Sequence, residues 1–176
     1  MKLKKMVVFS IIGLLLVTSF LSSNPSTVEA SKSNPKKAAV VTKYDSGMTK
    51  LIYTEVYLNT DNAKKLSKKL KNKNTKAKDV GYFLASLVPY IGPFLGADYM
   101  ISGWKNKDDA AKIDKKLKVK GSKGIRVTYV EVKGRGATSP KLATINAWTG
   151  KASTVKSHYT DKKDKFKRTV QKKIYP

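Results

Sequence analysis

The chain has 176 residues, with 37 Lys and Arg against 12 Asp and Glu, a formal net charge of +25 and no Cys. That balance argues against basic partners and disulfide scaffolds. It points to polyanions: anionic lipid, a cell-wall phosphate polymer, or nucleic acid held without sequence specificity. A single His and few carboxylates argue against a metal centre, and neither a GxGxxG nor a P-loop pattern occurs, so no metal or cofactor is expected.

Residues 1–30 read as a signal peptide. Lys2, Lys4 and Lys5 precede an apolar run from Met6 to Leu21, and Val28-Glu29-Ala30 offers small residues for cleavage after Ala30. Cleavage removes three Lys and one Glu, leaving a secreted chain of 146 residues at +23. No Cys lies near the cut, which excludes a lipoprotein. A Cys-free exported chain fits a Gram-positive bacterium. Residues 31–37 (SKSNPKK) are expected to be a flexible basic tail, and 38–176 a single α+β domain.

Val40 to Tyr44 is predicted as a short strand, followed by a turn at Asp45-Ser46-Gly47. Leu51 to Asn59 is a stronger strand prediction, with Ile52, Thr54, Val56 and Leu58 forming one apolar face. Thr60 is the predicted N-cap of a helix in which Ala63, Leu66 and Leu70 share a face. Lys64, Lys65, Lys68 and Lys69 ride on its outside. A polar linker, Asn72 to Lys78, follows.

From Val80 to Trp104 the chain has one charge, Asp98. As one helix this run would reach roughly 37 Å, enough to cross a ~30 Å hydrocarbon layer. Pro89, Gly92 and Pro93 interrupt it, so the expected form is an apolar helical hairpin over 79–104 turning at those residues. Phe83, Leu84, Leu87, Ile91, Phe94 and Leu95 are its candidate membrane-contact residues. Its second helix is expected to run on into Asp108 to Lys118 and end at Gly121 and Gly124. A carboxylate near mid-membrane costs about 2.5–3.5 kcal/mol, so Asp98 opposes deep insertion.

Ile125 to Val132 and Lys141 to Thr149 are predicted strands flanking a Gly134-Arg135-Gly136 turn, and Thr154 to Tyr159 is a weaker one. Beyond Asp161, Phe166, Val170 and Ile174 recur every fourth residue among Lys162, Lys163, Lys165, Lys167, Arg168, Lys172 and Lys173. That spacing predicts a basic amphipathic helix. The fold class is therefore α+β, a small antiparallel sheet with the broken hairpin and a basic C-terminal helix.

Two resemblances follow from these residues. Glu131, Arg126, Arg135 and His158-Tyr159 resemble, over about thirty residues, the small secreted microbial ribonucleases. The resemblance implies Glu131 as base, Arg135 as phosphate ligand and His158 as acid. The apolar hairpin has no place in that fold. The second resemblance, to small secreted bacteriocin or toxin-like proteins of Gram-positive bacteria, rests on the leader, the broken apolar hairpin and the Lys-rich flanks. It implies a non-enzymatic protein in which Lys supplies attraction and the hairpin perturbs membranes. A wall or matrix protein that keeps its hairpin folded and holds phosphate polymer through Lys is the alternative.

Overall fold

Two strand-forming runs, the first buried on both faces, and a Gly turn make the first hairpin. β1 (Lys37–Asp45) and β2 (Thr49–Asn59) pair antiparallel, with Val40 opposite Glu55 and Thr42 opposite Tyr53. At the turn, Gly47 sits at φ 85°, and the Asp45 carboxylate accepts its N–H at 2.8 Å. The structure, a computed structural model, describes residues 34–95, 102–160 and 165–176. The leader, residues 96–101 of the apolar run, and Lys162 and Lys163 lie outside the described residues.

β2 leads directly into α1 (Thr60–Lys71), followed by α2 (Ala77–Leu87), a 3₁₀ segment (Pro89–Phe94) and α3 (Asn106–Leu117). β3 (Gly124–Gly134), β4 (Thr138–Trp148) and β5 (Lys167–Tyr175) complete a five-stranded antiparallel sheet in the order β4-β3-β2-β1-β5. The α+β class is shown. Among the described residues no helix is long and apolar enough to cross a membrane.

The helices cover one face of the sheet. Leu66 and Leu70 of α1, Val80 and Leu84 of α2, Ile91 and Leu95 beyond it, and Ile113 of α3 meet Val56, Leu58, Ile125 and Val127 in one core. All of these are 0% exposed. Fully burying one such aliphatic side chain stabilises the fold by about 1.5–3 kcal/mol, so this interlock is the main stabilising layer.

The other face is covered by a strap, residues 149–160, which leaves β4 at one edge and heads for β5 at the opposite edge. Apart from a 3₁₀ turn at Ala152–Thr154 the strap has no regular structure. It packs on Ala38, Val40, Tyr57 and Trp148 through Val155.

Several elements differ from their sequence expectation. The predicted basic C-terminal helix is the edge strand β5, whose Val170 and Ile174 register with Thr42 and Ala38 of β1. A spacing of four is also twice the strand period of two, so the same residues share a strand face. Beyond Leu87 the hairpin continues as a 3₁₀ segment, in which Pro89 and Pro93 lack the donors an α-helix would use. The predicted continuous second helix is replaced by a separate α3, whose start is fixed by Asp109 accepting the Lys105 N–H at 2.6 Å. Asn59, rather than Thr60, caps α1, accepting the Asn62 N–H at 3.0 Å. The weak strand at Thr154 to Tyr159 is part of the strap. Two residues assigned to the tail belong to the sheet: the Lys36 N–H donates to the Tyr175 carbonyl at 3.2 Å, and Lys37 begins β1.

Candidate functional site

β2 carries a second buried face. Opposite the helix-facing Val56 and Leu58 stand Tyr53, Glu55 and Tyr57, and Glu55 is 0% exposed. An ionised carboxylate survives there only with partners. The strap brings His158 over it. The His158 N–H donates to Glu55 Oε2 at 3.1 Å, and Nδ1 meets Oε1 at 2.8 Å. From the neighbouring strand β3, Arg126 Nη1 reaches the same Oε1 at 3.4 Å. Burial pushes the Glu55 carboxyl above its ordinary range, while the His158 contacts and Arg126 pull it the other way.

Tyr57 joins the cluster, donating to the Lys156 carbonyl at 2.8 Å. Burial, followed by the nearby Glu55 charge, pushes its hydroxyl up to about 12, so it remains a neutral donor. Further along the strap, Tyr44 donates to the Tyr159 carbonyl at 2.9 Å, Thr42 and Ser157 hydroxyls meet at 2.6 Å, and Tyr159 stacks on Tyr53 with ring centres 3.6 Å apart. Side chains of the sheet thus satisfy a strap that has no ladder of its own.

Beside this cluster lies a cleft of about 160 Å³ lined by Tyr57, Arg126, Ala147, Trp148, Thr149, Thr154 and His158. Trp148 and Tyr57 form an edge-to-face pair, centroids 5.5 Å apart, and Trp148 Nε1 donates to Thr154 Oγ1 at 2.8 Å. Arg126 Nε is buried and has no partner among the described residues.

Of the residues expected to cleave RNA, the structure brings Arg126 and His158 together but not the other two. Glu131 has the strand parity of Val127 and Tyr129 and so lies on the helix side of the sheet, paired to Lys133 at 3.6 Å. Arg135 is exposed in the β3–β4 turn. The carboxylate actually beside His158 is Glu55, and the two touch. A base and an acid working on opposite sides of a phosphate need the phosphate between them, and this contact leaves no such gap. Sequence reasoning missed Glu55. Its flanking Tyr53 and Tyr57 on the same strand face were the available sign that this face is covered.

The candidate membrane-contact residues divide. Leu84, Ile91 and Leu95 are fully buried in the core; Phe83, Leu87 and Phe94 are half-buried at its margin, where Lys69 lies over Phe83 and Lys43 over Phe94. Pro89 and Pro93 are exposed and Gly92 is buried. The candidate polyanion contacts lie outside: Lys64, Lys65 and Lys68 on α1, and Lys165, Lys167, Arg168, Lys172 and Lys173 in or beside β5 are exposed, while Lys69 is half-buried. Among the described residues, Lys64, Lys65, Lys68, Lys172 and Lys173 have no carboxylate within ion-pair distance. No group of three or more His, Asp and Glu able to hold a metal occurs among the described residues. No family model, curated protein or solved structure matches the chain.

Proposed function

We propose that the mature chain is an exported, non-enzymatic protein that holds phosphate-bearing polymer or anionic headgroups on a bacterial surface through its lysines. The observation that carries this reading is a division of the molecule. The apolar run contributes Leu84, Ile91 and Leu95 to the core, whereas the lysines of α1 and β5 are mostly exposed and, among the described residues, largely without compensating carboxylates. Each unpaired lysine near an anionic leaflet contributes about 1 kcal/mol, and several acting together concentrate the protein on such a surface. Lys is a hydrated point charge with no fixed geometry, so attraction of this kind is broad and salt-sensitive.

Membrane perturbation is the second reading, favoured by the half-buried Phe83, Leu87 and Phe94 and by Tyr82, which is 48% exposed. It requires Leu84, Ile91 and Leu95 to leave the sheet, at the cost of the core. One experiment separates the two. The mature protein is mixed at low salt with poly(glycerol phosphate) and with dye-loaded anionic vesicles. The leading reading expects retention on the polymer, lost in high salt, and vesicles that stay sealed. Leakage at micromolar protein supports the second reading, and absence of binding to either partner overturns both.

A further inference from the structure

We infer that the cleft between the strap and the β3–β4 end of the sheet is a specific site for a single phosphate ester group, held by Arg126 and His158. This deepens the proposed polymer binding by giving it one defined contact among many diffuse ones.

The donors converge there without matching acceptors. Glu55 occupies only Nη1 of Arg126, and the guanidinium has five N–H donors in a fixed fork. Arg126 Nε is buried away from solvent, so the donors this residue can turn to the cleft are the Nη N–H groups that Glu55 leaves free. His158 gives Nδ1 and its backbone N–H to Glu55, so Nε2 is the nitrogen left over. In its doubly protonated form the ring donates from both nitrogens. Thr149 adds a hydroxyl at the rim, whereas the Thr154 hydroxyl is already donated to the Lys151 carbonyl at 2.6 Å; Lys151 and Lys156 are exposed on the strap beside them. Among the described residues, the only carboxylate contacting Arg126 or His158 is Glu55, which both of them already engage. An excess of donors around about 160 Å³ suits an oxyanion the size of phosphate rather than a neutral or cationic group.

Arg126 is also chemically distinct from its surroundings. The sequence has only three Arg among its 37 cations, and Arg126 is the one that is mostly buried, at 17% side-chain exposure. Arg presents a planar fork that recognises phosphate oxygens in pairs, which lysine cannot do. Glu55 then acts as a positioning residue: it fixes the Arg126 fork and the His158 ring from behind, so neither must be ordered when the ligand arrives. Trp148 and Tyr57 supply rigid walls for the carbon part of the ester.

The test uses the fact that His158 is the sole histidine, so its ring carbon and proton resonances report this cleft alone. The mature protein is titrated at high salt, where exposed lysines are screened, with glycerol 1-phosphate and separately with a short poly(glycerol phosphate). The proposal expects a saturable shift of the His158 ring signals. With a polymer whose ends carry no phosphate, a response to the monoester alone identifies a terminal phosphate as the group recognised, and a response to both shows that the backbone diester is accepted. Arg126→Gln is expected to weaken binding at least about tenfold, and Arg126→Lys several-fold, with amide spectra confirming an intact fold.

Silent His158 signals, or a shift that persists in folded Arg126→Gln and Arg126→Lys, would overturn the site. If polymer is still retained at low salt in that case, the broader lysine reading stands without it. Loss of low-salt retention with an intact His158 response would instead remove the lysine reading and leave the cleft.

Discussion

The two faces of the sheet are closed by different physics. On one, aliphatic side chains from three helices interlock with Val56, Leu58, Ile125 and Val127. On the other, an irregular strap is fastened by hydroxyls, a stacked tyrosine pair and one buried carboxylate. Apolar burial is roughly proportional to area and tolerant of detail, while the polar face depends on each partner being in place. The helix face therefore supplies most of the stability, and the strap face supplies a defined chemical environment. The difference accounts for why the titratable cluster and the cleft lie on the strap side.

That contrast can be broken most forcefully from the helix side. Leu84→Ala or Ile91→Ala removes a fully buried aliphatic group and should cost about 4 kcal/mol, read as an earlier denaturant midpoint for the whole domain. Glu55→Ala comes next. It strands Arg126 and His158, and about 3 kcal/mol is expected; the loss stays at the low end of buried-pair deletions because both partners keep some contact with water.

Smaller changes sharpen the comparison. Tyr57→Phe deletes the bond to the Lys156 carbonyl, and about 1 kcal/mol should be lost from hydrogen-exchange protection of strap amides, with α2 amides unchanged. Equal loss in both regions would mean that the strap and the helices open as one unit. Glu131→Gln should act in the opposite sense. Burial raises the Glu131 carboxyl above 4.5, so the folded chain binds a proton more readily than the unfolded one. Its contribution favours folding below 4.5 and is lost as pH rises through the shifted value. The substitution should therefore stabilise by about 1 kcal/mol at neutral pH, and the gain should vanish in acid.

How far the sequence foretold this molecule depended on how local each determinant is. The hairpin at Asp45-Ser46-Gly47, the turn at Gly134-Arg135-Gly136 and the α1 stripe of Ala63, Leu66 and Leu70 depend on neighbours within a few residues. Phe166, Val170 and Ile174 could not separate helix from strand, because their interval satisfies both periods. Pairing with β1 decided the outcome, and β1 is more than a hundred residues away. The cleft was the least legible part. Arg126 and His158 were recognisable as candidates, but Glu55 looked like a solvated charge within a strand, and only the return of the strap across the sheet makes it their partner.

The exposed outer strand β5 has a consequence for self-association. Among the described residues no strand pairs with its outer rim, which makes that rim a template for stacking one molecule on another. Lys167, Arg168, Lys172 and Lys173 line it, so a second copy arriving there meets like charge at four of its nine residues. A long polyanion that neutralises these residues removes that guard. On the proposed polymer-binding reading, copies are expected to associate along a saturated polymer and to disperse again when polymer is in excess, a change that light scattering would follow.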